Sequence, residues 1–239
     1  MILAIDTSIG STVAVVDPDT EEVLGQAQSE TNRGHAEVIG TLIQRAIAEA
    51  GKTPADITVV AAGMGPGPFT GLRIGIAAAR AFAIGRGIRV VPVASHDAAA
   101  LEILERDPDA DVVIVTDARR RENAVSAYSG LKDGLPNRIA GPDLLPGTED
   151  PQGYLAEHLE ITRASREKAD IGQISRTSAS LGNAPSAQSG PAHTTAIPAA
   201  QLGKIAARQL TAGTSEQLEP LYLRAPDAKI PGAVKRVST

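Results

Sequence analysis

The chain has 239 residues, 42% of them hydrophobic and 21% charged, with a formal net charge of −5 from 23 basic and 28 acidic side chains. That length supports one large domain or two small ones, and with 2% aromatics and no tryptophan the core must be aliphatic. Zero cysteines exclude a disulfide, a thiolate zinc site and an iron–sulfur cluster; the acidic balance and scarce aromatics argue against a stand-alone nucleic-acid binder, and no run of about 18 apolar residues marks a membrane span.

The opening MILAIDTS lacks a basic stretch and reads as a strand, Ile2 to Asp6, rather than a signal peptide, so a cytoplasmic protein is expected. Thr12 to Val16 and Glu22 to Glu30 read as two further strands, joined by the turn DPDT at 17–20. A helix follows over about 34–50, where Ile39, Leu42, Ile43, Ala46, Ile47 and Ala50 form one apolar stripe, with Asn32 as its cap and Gly51 as its end. Thr58 to Ala62 reads as a buried strand. The glycine-rich GMGPGPFTGLRIG, residues 63–75, then enters a helix expected from Thr70 to about Gly85. Arg89 to Val93 reads as a strand and Ser95 to Glu105 as a helix.

After Pro108 the strands Val112 to Thr116 and Asn123 to Tyr128 flank a DARRR turn at 117–121, and Tyr154 to Leu159 reads as a short helix. Residues 162–200 are rich in Ser, Thr, Ala and Pro with little periodicity, which reads as a long loop or mobile segment. Ala199 to Leu210 reads as a helix, PLYLR at 220–224 as a last ordered patch, and the tail after Ala225 as loose. Three antiparallel strands followed by crossover helices form the unit of the actin-like, Hsp70-like and sugar-kinase ATPase lobe. The expected fold is therefore α/β and actin-like, with a lobe over 1–106 and a smaller, partly irregular second lobe over 107–239.

Two readings compete at 63–75. A glycine-rich turn at a helix N-terminus is a phosphate-site signal, and with Asp6, Thr7 and Ser8 at the first strand's end it gives a candidate nucleotide set: Asp6, Thr7, Ser8, Gly65, Gly67, Thr70 and Arg73. Against it, Leu72 follows Gly71 where a Walker loop needs lysine, and Pro66 and Pro68 carry no N–H for a phosphate nest. In the second reading Gly71, Gly75, Ala79 and Ala83 form a bare stripe that lets another element approach closely, in the core or across a partner interface. Phe69 would then anchor the turn and Thr70 would cap the helix.

No pair of the four histidines has metal-binding spacing, and His35 and His96 read as surface or capping residues. Ser95, His96 and Asp97 are adjacent, so their side chains diverge and cannot form a catalytic triad. Neither a catalytic residue nor a metal site is expected.

Together AIDTS at 4–8, GMGPGPFTGLRIG, DARR at 117–120 and LYLR at 221–224 resemble the bacterial TsaB (YeaZ) family. The likeness runs over nearly the whole chain, strongest to about residue 130 and poor over 162–200, and Pro68 stands where the family's GPGSFTGLRIG has serine. It implies an actin-like ATPase (ribonuclease H-like) fold with a shortened second domain. It also implies a non-catalytic partner of the paralogue TsaD, which carries an HxxxH metal site lacking here, in making threonylcarbamoyladenosine on tRNA.

In that family two helices, here about 34–50 and 70–85, join TsaB to TsaD or to a second TsaB. The resemblance thus points to Ile39, Leu42, Ile43, Ile47, Gly71, Leu72, Gly75 and Ala79 as the interface, and Gly75→Leu is expected to abolish pairing and leave a folded monomer. A P-loop ATPase, TsaE, joins the assembly. ATP and magnesium act there with no cofactor of this chain's own, and tRNA is reached through the complex. Readings from other classes are a small actin-like nucleotide-binding hydrolase or kinase using Asp6 and the 63–71 loop, and a peptidase.

Overall fold

The computed structural model describes residues 1–29, 34–171, 191–214 and 219–224, with the side chains of 165–171 left aside. The cap expected at Asn32 and the tail expected to be loose after Ala225 fall outside these residues.

The first sheet has the order β3-β2-β1-β4-β5, from β1 (Ile2–Asp6), β2 (Thr12–Val16), β3 (Val23–Gln28), β4 (Val59–Gly63) and β5 (Arg89–Val93). β1 pairs antiparallel with β2 and parallel with β4, and β5 continues the parallel side. Alternate residues of β1 serve different layers. Leu3 and Ile5 pack under α1 (His35–Glu49) and α2 (Phe69–Arg86), while Ile2 and Ala4 pack under α5 (Ala199–Ala212). Coverage on both faces explains why every residue of β1, β2 and β4 is buried.

A second sheet has the order β8-β7-β6-β9, from β6 (Asp111–Asp117), β7 (Glu122–Lys132), β8 (Leu135–Pro146) and β9 (Pro191–His193). α3 (Ser95–Leu104) lies between the two sheets and α4 (Pro151–Ile171) covers the outer face of the second. This is the actin-like α/β arrangement read from the element order, with a smaller second sheet. No helix among the described residues is long and apolar enough to cross a membrane.

Three elements differ from expectation. β8 was hidden by Pro136, Gly141 and Pro142, which an edge strand with register shifts tolerates. α4 runs well beyond Tyr154 to Leu159, through a polar stretch with little apolar periodicity. The segment read as loop over 162–200 contributes both the end of α4 and β9, which pairs parallel with β6.

Candidate functional site

The end of β1 is where the sequence places chemistry, and the structure fills that place from within. Asp6, Thr7 and Ser8 are all buried. Asp6 Oδ1 accepts hydrogen bonds from the Ser8 backbone N–H at 2.7 Å and from Ser8 Oγ, while Oδ2 accepts one from Ser95 Oγ. Ser95 Oγ in turn accepts from the Gly65 N–H at 3.0 Å, and Thr7 Oγ1 donates to the Gly71 carbonyl at 2.6 Å. Burial pushes the Asp6 carboxyl above the ordinary carboxylate range, and the Ser8 and Ser95 hydrogen bonds oppose it.

The glycine motif closes directly on these residues. A Cβ on Gly67 would stand 2.7 Å from Ser8 Cβ and from Ser8 O, and one on Gly71 would stand 2.6 Å from Thr7 O. On Gly75 it would run into Thr7 Oγ1, and on Gly63 into the Asp6 carboxylate. Glycine recurs at every fourth position from 63 to 75 because each one meets a different atom group of Asp6-Thr7-Ser8. Asp6, Thr7, Ser8, Gly65 and Gly67 close on one another, and Thr70 is exposed. Thr70 does not cap α2 either, because the helix begins at Phe69 with Pro68 at the N-cap and no side-chain cap bond. Arg73 lies over the Phe69 ring, 3.7 Å from its centroid, and donates to Tyr222 Oη at 3.3 Å.

The expected interface residues fall in two settings. Gly71, Gly75 and Ala79 face the chain's own β1 end and sheet. Ile39, Leu42 and Leu72 are likewise core. Ile43 and Ile47 differ: buried beside the core, they also line a groove between α1 and α2 of about 590 Å³.

Ser95, His96 and Asp97 send their side chains to three different places, as adjacency requires. Ser95 meets Asp6, and Asp97 accepts from Tyr128 Oη at 2.8 Å and pairs with Arg138 at 3.0 Å. His96 is a buried residue rather than the surface or capping one expected, with Nδ1 2.8 Å from Ser126 Oγ and Nε2 2.9 Å from Thr116 Oγ1. The first turn of α3 thus pins the first sheet to the second. Periodicity gave no signal of this, since Ser95 to Leu101 are all buried and that stretch has no solvent-facing side.

Burial, then the Arg138 charge, pulls the His96 imidazole down to about 3 from an ordinary 6.5. The unfolded chain therefore takes up this proton first, and stability present above pH 6.5 is lost as pH falls. The expected loss through this group is about 2 kcal/mol between pH 7 and pH 5. Urea melts at the two pH values measure it, and His96→Asn should remove that part of the slope.

A cavity of about 360 Å³ opens between the sheets, walled by Gly67 and Phe69, by the 117–120 turn, and by Tyr222 to Arg224. The turn holds Arg119, Arg120 and Arg121 at φ 66, 57 and 63°, a left-handed run that costs bulky residues about 1–2 kcal/mol each. The 219–224 segment straps across: the Leu221 N–H donates to Met64 O at 2.8 Å, Tyr222 packs on Phe69 with centroids 4.8 Å apart, and Arg224 pairs with Glu122 and donates to Arg119 O at 3.3 Å. In the sequence LYLR stands out as an ordered patch and as part of the family resemblance, with no ligand role assigned to Tyr222 or Arg224. Among the described residues no group of three or more His, Cys, Asp or Glu is placed to hold a metal ion.

The model of the family described as TsaD, tRNA N6-adenosine threonylcarbamoyltransferase, matches residues 21–148. An uncharacterized protein of Mycobacterium tuberculosis (strain H37Rv) is 37% identical over 162 residues, 67% of this chain and 74% of its own length. A tRNA N6-adenosine threonylcarbamoyltransferase of Streptococcus pneumoniae (strain ATCC 700669 / Spain 23F-1) is 37% identical over 107 residues, 38% of this chain and 32% of that protein. In fold, YeaZ from Pseudomonas aeruginosa is similar at a TM-score of 0.65 and 21% identity, over 93% of this chain and 99% of that one.

Proposed function

This chain belongs to the family of TsaD, tRNA N6-adenosine threonylcarbamoyltransferase, and we propose that within it the chain is a non-catalytic partner of the TsaB (YeaZ) type. It docks on a TsaD-type transferase and supports threonylcarbamoyladenosine formation on tRNA in the cytoplasm. The observation that carries this reading is the closed end of β1. The carboxylate and hydroxyls that would handle magnesium and phosphate in an actin-like ATPase are spent on each other and on the chain's own loop. A fold kept while its reactive end is sealed suits a supporting subunit.

The docking face is the apolar groove between α1 and α2, lined by Gly40, Ile43, Ile47, Ala78 and Phe82. It replaces the buried Gly71, Gly75 and Ala79 stripe in that role. A second copy of this chain occupies the same groove when the paralogue is absent. A TsaE-type P-loop ATPase joins the pair, ATP and magnesium act in the assembly, and tRNA is reached through it.

Phe82 is only partly buried, so Phe82→Glu should leave a folded chain by circular dichroism. It should abolish co-purification with the TsaD-type paralogue and cut modified adenosine in tRNA at least tenfold in the reconstituted reaction. Equal co-purification by the variant would remove the groove from the proposal. Full tRNA modification without this chain would remove the supporting role itself.

A further inference from the structure

β3 is an edge strand of the first sheet, paired with β2 on one side only. Its register fixes which way its backbone groups point. The Ser29 N–H donates to Ser11 O, and along the same pair Gln28 stands opposite Thr12 and Gln26 opposite Ala14. Backbone groups alternate in an antiparallel pair, so those of Gln26 and Gln28 point away from β2, out of the sheet. The opposite edge strand, β5, carries Arg89 and Pro92, residue types that discourage an added strand. β3 reads VLGQAQ and carries neither a charge nor a proline.

A layer stands on each side of that edge. Gly25 lies against α1, where a Cβ would be 2.6 Å from Ala50 N. The Gln26 and Gln28 side chains take the other face, that of α5. Their cross-strand partners are Ala14, which packs in the α5 layer, and Thr12, whose Oγ1 donates to Ile197 O at 2.8 Å. A groove of about 1000 Å³ follows the edge, and its charged residues are Glu37, Glu49 and Glu102 against Arg45. Within it Glu49 Oε2 accepts from the Gln26 N–H at 3.1 Å. A carboxylate oxygen thus stands where the carbonyl of an added strand would.

We propose that this edge takes up an extended, basic segment of another protein as a further strand. Main-chain pairing to Gln26 and Gln28 supplies the attachment, and the acidic groove selects the charge. The carbonyl of the incoming segment replaces Glu49 at Gln26, so that hydrogen bond is exchanged rather than lost. Glu49, an exposed side chain, is then released to pair with a lysine or arginine of the segment. The edge lies on a different side of α1 from Gly40, Ile43 and Ile47, so the proposal holds with or without a transferase partner.

The peptide acetyl-KVKVK-amide, labelled with fluorescein and titrated with the full chain by anisotropy, tests it. The expected dissociation constant is about 1 mM or tighter, with acetyl-EVEVE-amide at least about tenfold weaker. N-methyl groups on alternate residues give the sharper comparison, because only one set of amides faces β3 in a paired strand. Methylation in one phase should abolish binding, and in the other should leave it within about twofold. Glu37→Lys combined with Glu102→Lys, both at exposed positions, should weaken the KVKVK peptide at least about fivefold without changing the circular dichroism spectrum. The proposal is overturned if KVKVK does not bind, if EVEVE binds equally, or if the two methylation phases act alike. Failure to bind together with a dimer by sedimentation would give the edge to a second copy of this chain instead. None of these comparisons needs a variant, so a misfolded chain leaves the test intact.

Discussion

Leucine at position 75 will lower the unfolding free energy by about 3 kcal/mol or more, so any loss of pairing will come with a markedly less stable monomer. A Cβ at Gly75 meets Thr7 Oγ1 at once and lies 3.1 Å from Thr7 Cβ and Cγ2, and leucine adds three carbons beyond it. Thr7 cannot step aside, because its hydroxyl is bound to the Gly71 carbonyl and its neighbours Asp6 and Ser8 are locked together. Overpacking a tight core costs about 1–3 kcal/mol and occasionally more, against a total stability of about 5–15 kcal/mol. Gly85, in the same helix with nothing within 4 Å of its Cβ direction, gives the opposite sign. Gly85→Ala should stabilise by about 0.5–1 kcal/mol. Urea melts followed by circular dichroism measure both, and an unchanged midpoint for Gly75→Leu would mean α2 does not seat on Thr7.

Arg138→Met should cost about 3–5 kcal/mol at neutral pH, since removing one partner strands a buried charge. Asp97 is nearly enclosed, held by Tyr128 Oη and by Arg138 on a neighbouring strand. Burial raises its carboxyl above the ordinary 3.8, with Arg138 the largest opposing influence. Without Arg138 the value rises further, so the folded chain binds this proton before the unfolded chain does. Stability from that uptake is present below pH 3.8 and is lost as pH rises through the folded value. The variant's deficit should therefore be small near pH 4 and grow toward pH 7. Asp97→Asn combined with Arg138→Met should recover most of it. A deficit equal at both pH values would assign it to lost packing instead.

The strands of the first sheet were legible because short apolar runs rich in strand formers, bounded by turns, are local signals, as in Ile2–Asp6 and Thr12–Val16. α1 was legible from its apolar stripe, and α5 was read over Ala199 to Leu210. β8 was not, because its prolines and glycine mimic a loop and only pairing with β7 decides otherwise. At the site, Asp6 to Ser8 and the glycines at 63, 67, 71 and 75 do meet, each glycine against a different group of those three residues. Spacing shows that small residues share a face; it cannot show which neighbour needs the room. Tyr222 and Arg224 join Phe69 and Arg119 across more than a hundred residues, a closeness that no local pattern records.

The position of α5 also bears on how the protein is made. Gly203 sits so close to Val16 and Ala4 that an added Cβ would lie 2.6 Å from Val16 Cγ2, and Leu202 and Ile205 complete the same layer. The last strand of that sheet ends at Val93, yet its covering helix begins only at Ala199. At about 5–20 residues per second, a ribosome needs on the order of ten seconds to bridge that gap. Through that interval the newborn sheet shows an uncovered aliphatic face built from Ile2, Ala4, Ala14 and Val16. The nascent chain therefore passes through a stage in which native packing does not yet cover its oldest strands, the stage at which they are most exposed to pairing with those of another chain.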